Sequence, residues 1–159
     1  MTLEEKIVKV LREKGMVMAC AESCTGGLIA KRITDVSGSS SVFNCGVVSY
    51  SNEIKESILG VSHETLEKYG AVSEQTVREM VAGVLKISGA DVAVSVSGIA
   101  GPMSDNTSKP VGLIWLAVSD GETTEVKCLN NTFTDNVREN NRISASNEAL
   151  NLILQKVGE

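Results

Sequence analysis

Val17-Met18-Ala19-Cys20-Ala21-Glu22-Ser23-Cys24-Thr25-Gly26-Gly27-Leu28-Ile29-Ala30-Lys31-Arg32-Ile33 is the stretch on which the fold turns. A short apolar run, Val17 to Cys20, meets the polar glycine turn Ala21 to Gly27. A segment follows in which Leu28, Ile29 and Ile33 recur at helical spacing. Strand, polar turn, helix is an order that aims backbone N–H groups and the hydroxyls of Ser23 and Thr25 at one point in space. It marks the first place to look for a bound anion or an attacking hydroxyl.

Working outward, Leu3 to Lys14 carries Leu3, Ile7, Val8 and Leu11 on one face, which predicts an amphipathic helix ended near Gly15. The strand Met16 to Cys20 and a helix from Gly26 to about Thr34 follow. Ser37 to Ser41 holds only small residues and reads as a loop. Val42 to Ser49, with Val47 beside Val48, reads as a second buried strand. Ser51 or Asn52 then caps a short helix running through Leu59 to Gly60, and Ser62 to Tyr69 forms another that stops at Gly70. Ser73-Glu74 opens a longer helix to about Ile87, with Val77, Met80, Val81, Val84 and Leu85 as its buried stripe.

Asp91 to Ser97 is the clearest strand and runs directly into a second glycine turn, Gly98-Ile99-Ala100-Gly101-Pro102. Met103 to Lys109 is polar and reads as a mobile loop. Val111 to Val118 and Thr123 to Leu129 are two strands joined by the hairpin turn Ser119-Asp120-Gly121-Glu122. Asp135 to Val157 closes the chain as a helix with Ile143, Leu150, Ile153 and Leu154 inward. Alternating helices and strands followed by a hairpin predict an α/β fold, a three-layer α/β/α sandwich. Its mixed sheet of about five strands is mostly parallel, with one antiparallel strand from the hairpin. With no repeat, heptad or linker, residues 1–159 are expected to form a single domain.

Composition narrows the function classes. At 159 residues, 42% hydrophobic and 22% charged, the chain is an ordinary globular one. No run approaches the ~18 apolar residues of a membrane span, and the start lacks the order of a signal peptide, so the expected compartment is the cytoplasm. A net charge of −5 with 15 scattered basic residues argues against a nucleic-acid partner. Cys20, Cys24, Cys45 and Cys128 contain no C-x-x-C pair and His63 is the sole histidine, so no metal site is expected. The cysteines read as free thiols, mostly buried.

Ligands of open α/β sheets bind beyond the carboxyl ends of the strands. Three polar turns occupy such ends: Glu22 to Gly27, Ser49 to Asn52 and Ser97 to Pro102. Their convergence would gather Ser23, Thr25, Tyr50 and Ser97 around one cleft. Thr25-Gly26-Gly27 reads equally as a helix cap with a tight bend or as a binding turn; it is neither a Walker loop nor G-x-G-x-x-G. Cys24, just before a helix start, stands where the dipole favours thiolate. A Ser-His-Asp triad would have to use His63, which reads as a surface histidine. Lys55 is the other available activator, because a desolvated lysine can take a proton from a serine hydroxyl; its alternative is a solvated helix lysine.

Several stretches together resemble one family. They are Ala21-Glu22-Ser23-Cys24-Thr25-Gly26-Gly27, Thr34-Asp35-Val36-Ser37-Gly38-Ser39-Ser40, Gly46-Val47-Val48-Ser49-Tyr50-Ser51-Asn52 with Lys55, and Leu59-Gly60-Val61. The series continues through Tyr69-Gly70-Ala71-Val72-Ser73-Glu74, Ser97-Gly98-Ile99-Ala100-Gly101-Pro102 and Lys109-Pro110-Val111-Gly112. In this order they resemble the CinA C-terminal domain, the competence-damage-inducible protein family. That resemblance implies an amidohydrolase that converts nicotinamide mononucleotide to nicotinate mononucleotide and ammonia, with no cofactor, and it implies a homodimer. Many members carry a further domain resembling molybdopterin-binding proteins, for which this chain is expected to have no room.

By the same resemblance Ser40 is the nucleophile and Lys55 its base, with Ser23, Tyr50, Ser97 and Arg138 in the same pocket. The residues read by themselves select Ser23, and Cys24 is a third choice. Backbone N–H groups at Gly26-Gly27, or from Gly98 to Gly101, would receive the phosphate or the oxyanion, and an arginine would pair with the phosphate. Two stretches depart from the family pattern. Met103-Ser104-Asp105-Asn106 stands where a glycine pair is usual, and Asn136-Val137-Arg138 replaces Gly-Asp-Arg. If Arg138 is displaced, Arg142 one turn on is the substitute, and the alternative function is a nucleotide-binding module that has lost its chemistry.

Overall fold

The computed structural model describes residues 1–158. In chain order the elements are α1 (Leu3–Lys14), β1 (Met18–Glu22), α2 (Leu28–Thr34), a 3-10 turn at Ser39–Ser41, β2 (Phe43–Val48), α3 (Asn52–Ser57) and α4 (His63–Tyr69). Then come α5 (Glu74–Ser88), β3 (Val92–Gly98), β4 (Leu113–Ser119), β5 (Thr124–Asn130) and α6 (Val137–Lys156). One sheet runs in the order β2-β1-β3-β4-β5. β1 pairs in parallel with β2 and β3, whereas β4 is antiparallel to both β3 and β5. Parallel neighbours need crossover connections, supplied by α2 between β1 and β2 and by α3 to α5 between β2 and β3; the β4–β5 pair needs only a turn.

Side chains alternate across the strands, and the two faces differ in bulk. Met18, Cys20, Val92, Val94, Val96, Ile114, Leu116 and Val118 face the layer of α1, α2 and α6. Ala19, Ala21, Ala93 and Ala117 face α4 and α5. The small residues let α5 sit close to the sheet, where Ser95 Oγ donates to Val77 O at 2.6 Å. Gly83 on α5 meets the backbone of Leu59 so closely that any Cβ there would overlap the Leu59 carbonyl. Serines at the Ncap positions of α3, α4 and α5 (Ser51, Ser62 and Ser73) each accept a first-turn N–H.

The three-layer sandwich with one strand opposed to the other four agrees with the sequence reading, and three local differences are informative. β1 extends past Cys20 to Glu22, because Ala21 and Glu22 still pair on both sides, with Val47 and Val48 on β2 and with Ser95 and Val96 on β3. α3 ends at Ser57 rather than Leu59. Ile143 is 43% exposed rather than inward. The buried face of α6 is set by Asn141, Ala145, Ala149 and Ile153, a four-residue period that Ile143 does not share.

Candidate active site

The carboxyl ends of β2, β1 and β3 lie side by side, and the polar turns that follow them meet there. Ser49, after β2, donates its N–H to Glu22 O at 2.7 Å, and Ser23, after β1, donates its N–H to Val96 O at 3.1 Å. Ser23 therefore sits beside Ser97 across the parallel register. α3 leaves the end of β2 through the Ser51 cap and turns Lys55 inward. The Lys55 side chain is 1% exposed; its Nζ donates to Ser23 Oγ at 3.0 Å and to Ser49 O at 2.8 Å.

Burial pushes the Lys55 ammonium down to about 8. Among the described residues no carboxylate is within ion-pair distance of it. A lysine in that state is a usable base a hydrogen bond away from a hydroxyl. Next to it, burial pushes the Cys24 thiol up to about 12, with only partial opposition from Arg142 and Lys55. At Cys24 burial outweighs the helix start and disfavours the thiolate form.

Ser40 is elsewhere. It lies exposed in the 3-10 turn that precedes β2, and the adjoining Val42 O accepts the N–H of Met18, the first residue of β1. Because β1 and β2 are parallel, Ser40 is off the amino ends of strands whose carboxyl ends carry Ser23 and Lys55. The six residues of β2 alone put about 20 Å between the two ends. The expected pairing of Ser40 with Lys55 is not formed within the chain, and the hydroxyl beside Lys55 is that of Ser23.

The glycine turn also has a different task from the one expected. Glu22, fully buried, turns its carboxylate onto the start of α2. Its Oε1 accepts from Thr25 Oγ1 (2.6 Å), Gly27 N (3.2 Å) and Ile29 N (2.9 Å), and its Oε2 from Ala30 N (3.0 Å). Gly26 N–H is held by Ser23 O at 3.0 Å. The N-terminal donors of α2 are therefore occupied by a protein carboxylate, so the expectation that Gly26-Gly27 holds a phosphate or an oxyanion is corrected. Thr25 is fully buried and internal. Sequence reasoning treated Glu22 as part of a polar turn; an acid placed at the end of an apolar strand directly before a helix was the available signal.

Arg138, on α6, joins the segments that follow β2 and β3. Its Nη1 donates to Gly101 O and its Nη2 to Tyr50 OH, both at 2.9 Å. Tyr50 is 59% exposed, so this bridge lies at the mouth of the cleft, beside a cavity of about 450 Å³ lined by Ile99 to Asp105 and Arg138. Asn136, where the family pattern has glycine, takes the left-handed conformation at φ 43°. Asparagine is among the few other residues that adopt it readily, so Arg138 keeps a defined place.

Arg142 does not substitute for Arg138. Its Nε donates to Cys24 O at 3.1 Å and its Nη2 to Thr25 O at 2.8 Å. Gly98 serves the sheet, since a Cβ there would collide with Ile114 on β4, and Gly101, at φ +78°, has no room for one beside Val111. Asn141 was missed from sequence; its Nδ2 holds Ala100 O at 2.9 Å while its buried Oδ1 has no partner among the described residues. His63 lies on the surface between Glu56 and Glu67, which raise its affinity for a proton. No cluster of metal-ligating side chains occurs among the described residues, and no helix among them is long and apolar enough to cross a membrane.

Fold and site define a three-layer α/β protein with a polar cleft at the carboxyl ends of its parallel strands, the usual ligand position in such sheets. The CinA C-terminal domain model matches residues 1–157, and the chain belongs to that family. Among solved structures, the competence/damage inducible protein CihA from Agrobacterium tumefaciens superposes with a TM-score of 0.91 at 39% identity, covering 99% of this chain and 94% of that one. The competence damage-inducible protein A from Klebsiella pneumoniae gives 0.93 at 34% identity over 99% and 96% of the two chains. Nicotinamide-nucleotide amidohydrolase PncC of Enterobacter agglomerans is 58% identical over 127 residues, 79% of this chain and 77% of that protein. A CinA-like protein of Chlorobium phaeobacteroides is 50% identical over 151 residues. The chain spans about a third of the length of several such relatives, 36% of the Chlorobium protein and 31% of a Thermoanaerobacter one.

Proposed function

We propose that this protein hydrolyses the carboxamide of nicotinamide mononucleotide, with Ser23 as nucleophile and Lys55 as its base. The observation that carries the reading is the 3.0 Å contact between Lys55 Nζ and Ser23 Oγ, with burial holding the lysine near 8. The similarity to the Enterobacter amidohydrolase supplies the substrate.

In this scheme the neutral amine of Lys55 accepts the Ser23 proton as Oγ bonds to the carboxamide carbon. Collapse of the tetrahedral species breaks the C–N bond, and the Lys55 ammonium returns its proton to the departing ammonia. Water, deprotonated by the same amine, then attacks the resulting ester. As the C–Oγ bond breaks, the Lys55 ammonium gives that proton to Ser23 Oγ, releasing nicotinate mononucleotide and restoring the hydroxyl and the neutral amine. Arg138 and Tyr50 stand at the mouth, where a guanidinium can meet the phosphate. With a net charge of −5, capture of an anionic substrate depends on such local donors.

Ammonia release from nicotinamide mononucleotide, with free nicotinamide as control, tests the reading. Release from the nucleotide alone is the expected result. Calorimetric binding of the nucleotide without ammonia over hours would replace the enzyme by a binding module. The buried contact between Lys55 Nζ and Ser23 Oγ, which binding of a nucleotide alone does not require, argues for the enzyme.

A further inference from the structure

The turn that carries Ser23 is held from two sides by opposite charges. On the inner side Glu22 gathers donors from Thr25, Gly27, Ile29 and Ala30. On the other side Arg142, reaching over from α6, donates to the consecutive carbonyls of Cys24 and Thr25. Thr25 is gripped by both, its hydroxyl donating to the carboxylate at 2.6 Å and its carbonyl accepting from the guanidinium at 2.8 Å. Charge-assisted hydrogen bonds of this kind are the stronger and more directional class. The carboxylate also lies at the positive end of α2 and is fully buried, so it is locked in place.

We infer that Glu22 and Arg142 form a two-sided clamp on the Ser23–Gly27 turn, closed through Thr25, and that both act as positioning residues for Ser23 rather than as substrate ligands. Two side chains from different parts of the chain thereby define where the Ser23 hydroxyl stands relative to Lys55. Reaction rates are steep in such placement, since an error of about 1 Å can cost about 100-fold. The inference rests on the proposed amidohydrolase reading.

Arg142→Met and Thr25→Val test it, because each removes one grip with little change of shape. Both are expected to lower kcat about 10- to 100-fold with KM within about two-fold of the wild type. Thr25→Ser, which restores the hydroxyl, recovers most of the loss. An Arg142→Met variant with raised KM and unchanged kcat would make Arg142 a substrate ligand and overturn the clamp. So would unaltered kcat and KM in both variants. If the wild type releases no ammonia, the amidohydrolase reading fails, and amide hydrogen exchange then decides the clamp. Exchange at Gly27, Ile29 and Ala30 should quicken about ten-fold or more in Thr25→Val, and an unchanged rate overturns it.

Discussion

Two short serine-bearing turns sit at opposite ends of the same strand pair, Ser23 to Gly27 at the carboxyl end and Ser39 to Ser41 at the amino end. Both are built mostly of small polar residues, and both fall within the residues that the CinA C-terminal domain model matches. Their surroundings differ completely. Ser23 Oγ accepts from Lys55, and Glu22 and Arg142 bond Thr25 two residues on, whereas Ser40 is exposed in a turn away from Lys55. A serine's chemistry is set by what the fold places opposite its hydroxyl, and local sequence does not report that.

Exchanging the two serines for alanine is the most direct way to break the comparison. Ser23→Ala should reduce ammonia release at least about 1,000-fold, while Ser40→Ala stays within about two-fold of the wild type. The opposite ranking would return the nucleophile to Ser40 and require the two ends of the sheet to meet between chains.

Next in size is the loss expected for Lys55→Met, about 100- to 1,000-fold in kcat, the scale of a removed general base. In the wild type, log kcat/KM should climb with unit slope as pH rises and level off near 8, since the neutral amine is the active form. A plateau already reached at pH 6 would exclude Lys55 as the base.

A smaller effect belongs to the mouth of the cleft. Tyr50→Phe deletes the acceptor of Arg138 Nη2, an exposed hydrogen bond of about 1 kcal/mol, and should change kcat/KM about five-fold. A 100-fold loss would move Tyr50 into the proton chemistry.

Stability offers the last test. A lysine whose folded pKa is lowered from 10.5 to about 8 leaves the unfolded chain holding more protons between those values, so stability rises with pH across that window. Lys55→Met should therefore unfold at higher denaturant than the wild type at pH 7, by about 2 kcal/mol, after part of the ~3 kcal/mol implied by the shift is lost with the Ser49 contact. The advantage should narrow as pH goes from 8 toward 10.5. A less stable variant at pH 7 would show that the two hydrogen bonds outweigh the burial of charge.

Much of the fold was legible because periodicity and punctuation survive in one dimension. The 3.6-residue stripe of α5, the run Val92 to Gly98 and the hairpin turn at Ser119 to Glu122 each announce an element without outside help. Boundaries were less so: β1 ran on to Glu22 because pairing on both sides, invisible locally, outweighed the polarity of a carboxylate. The same blindness misassigned the glycine turn. Gly26 and Gly27 suggest an anion site, but the anion is Glu22 itself, already seated on the helix start.

Residue order alone determined the α/β/α class and put polar turns after three strands; it left their convergence, and whether Lys55 is buried or a solvated helix lysine, open. Only the tertiary structure decided which serine the lysine touches, which arginine reaches the mouth of the cleft and which one holds the turn. The reason is physical. Helices and strands follow from periods within a few residues, whereas the Ser23–Lys55 contact spans 32 residues and the Arg142–Thr25 contact 117, and both depend on how the layers stack.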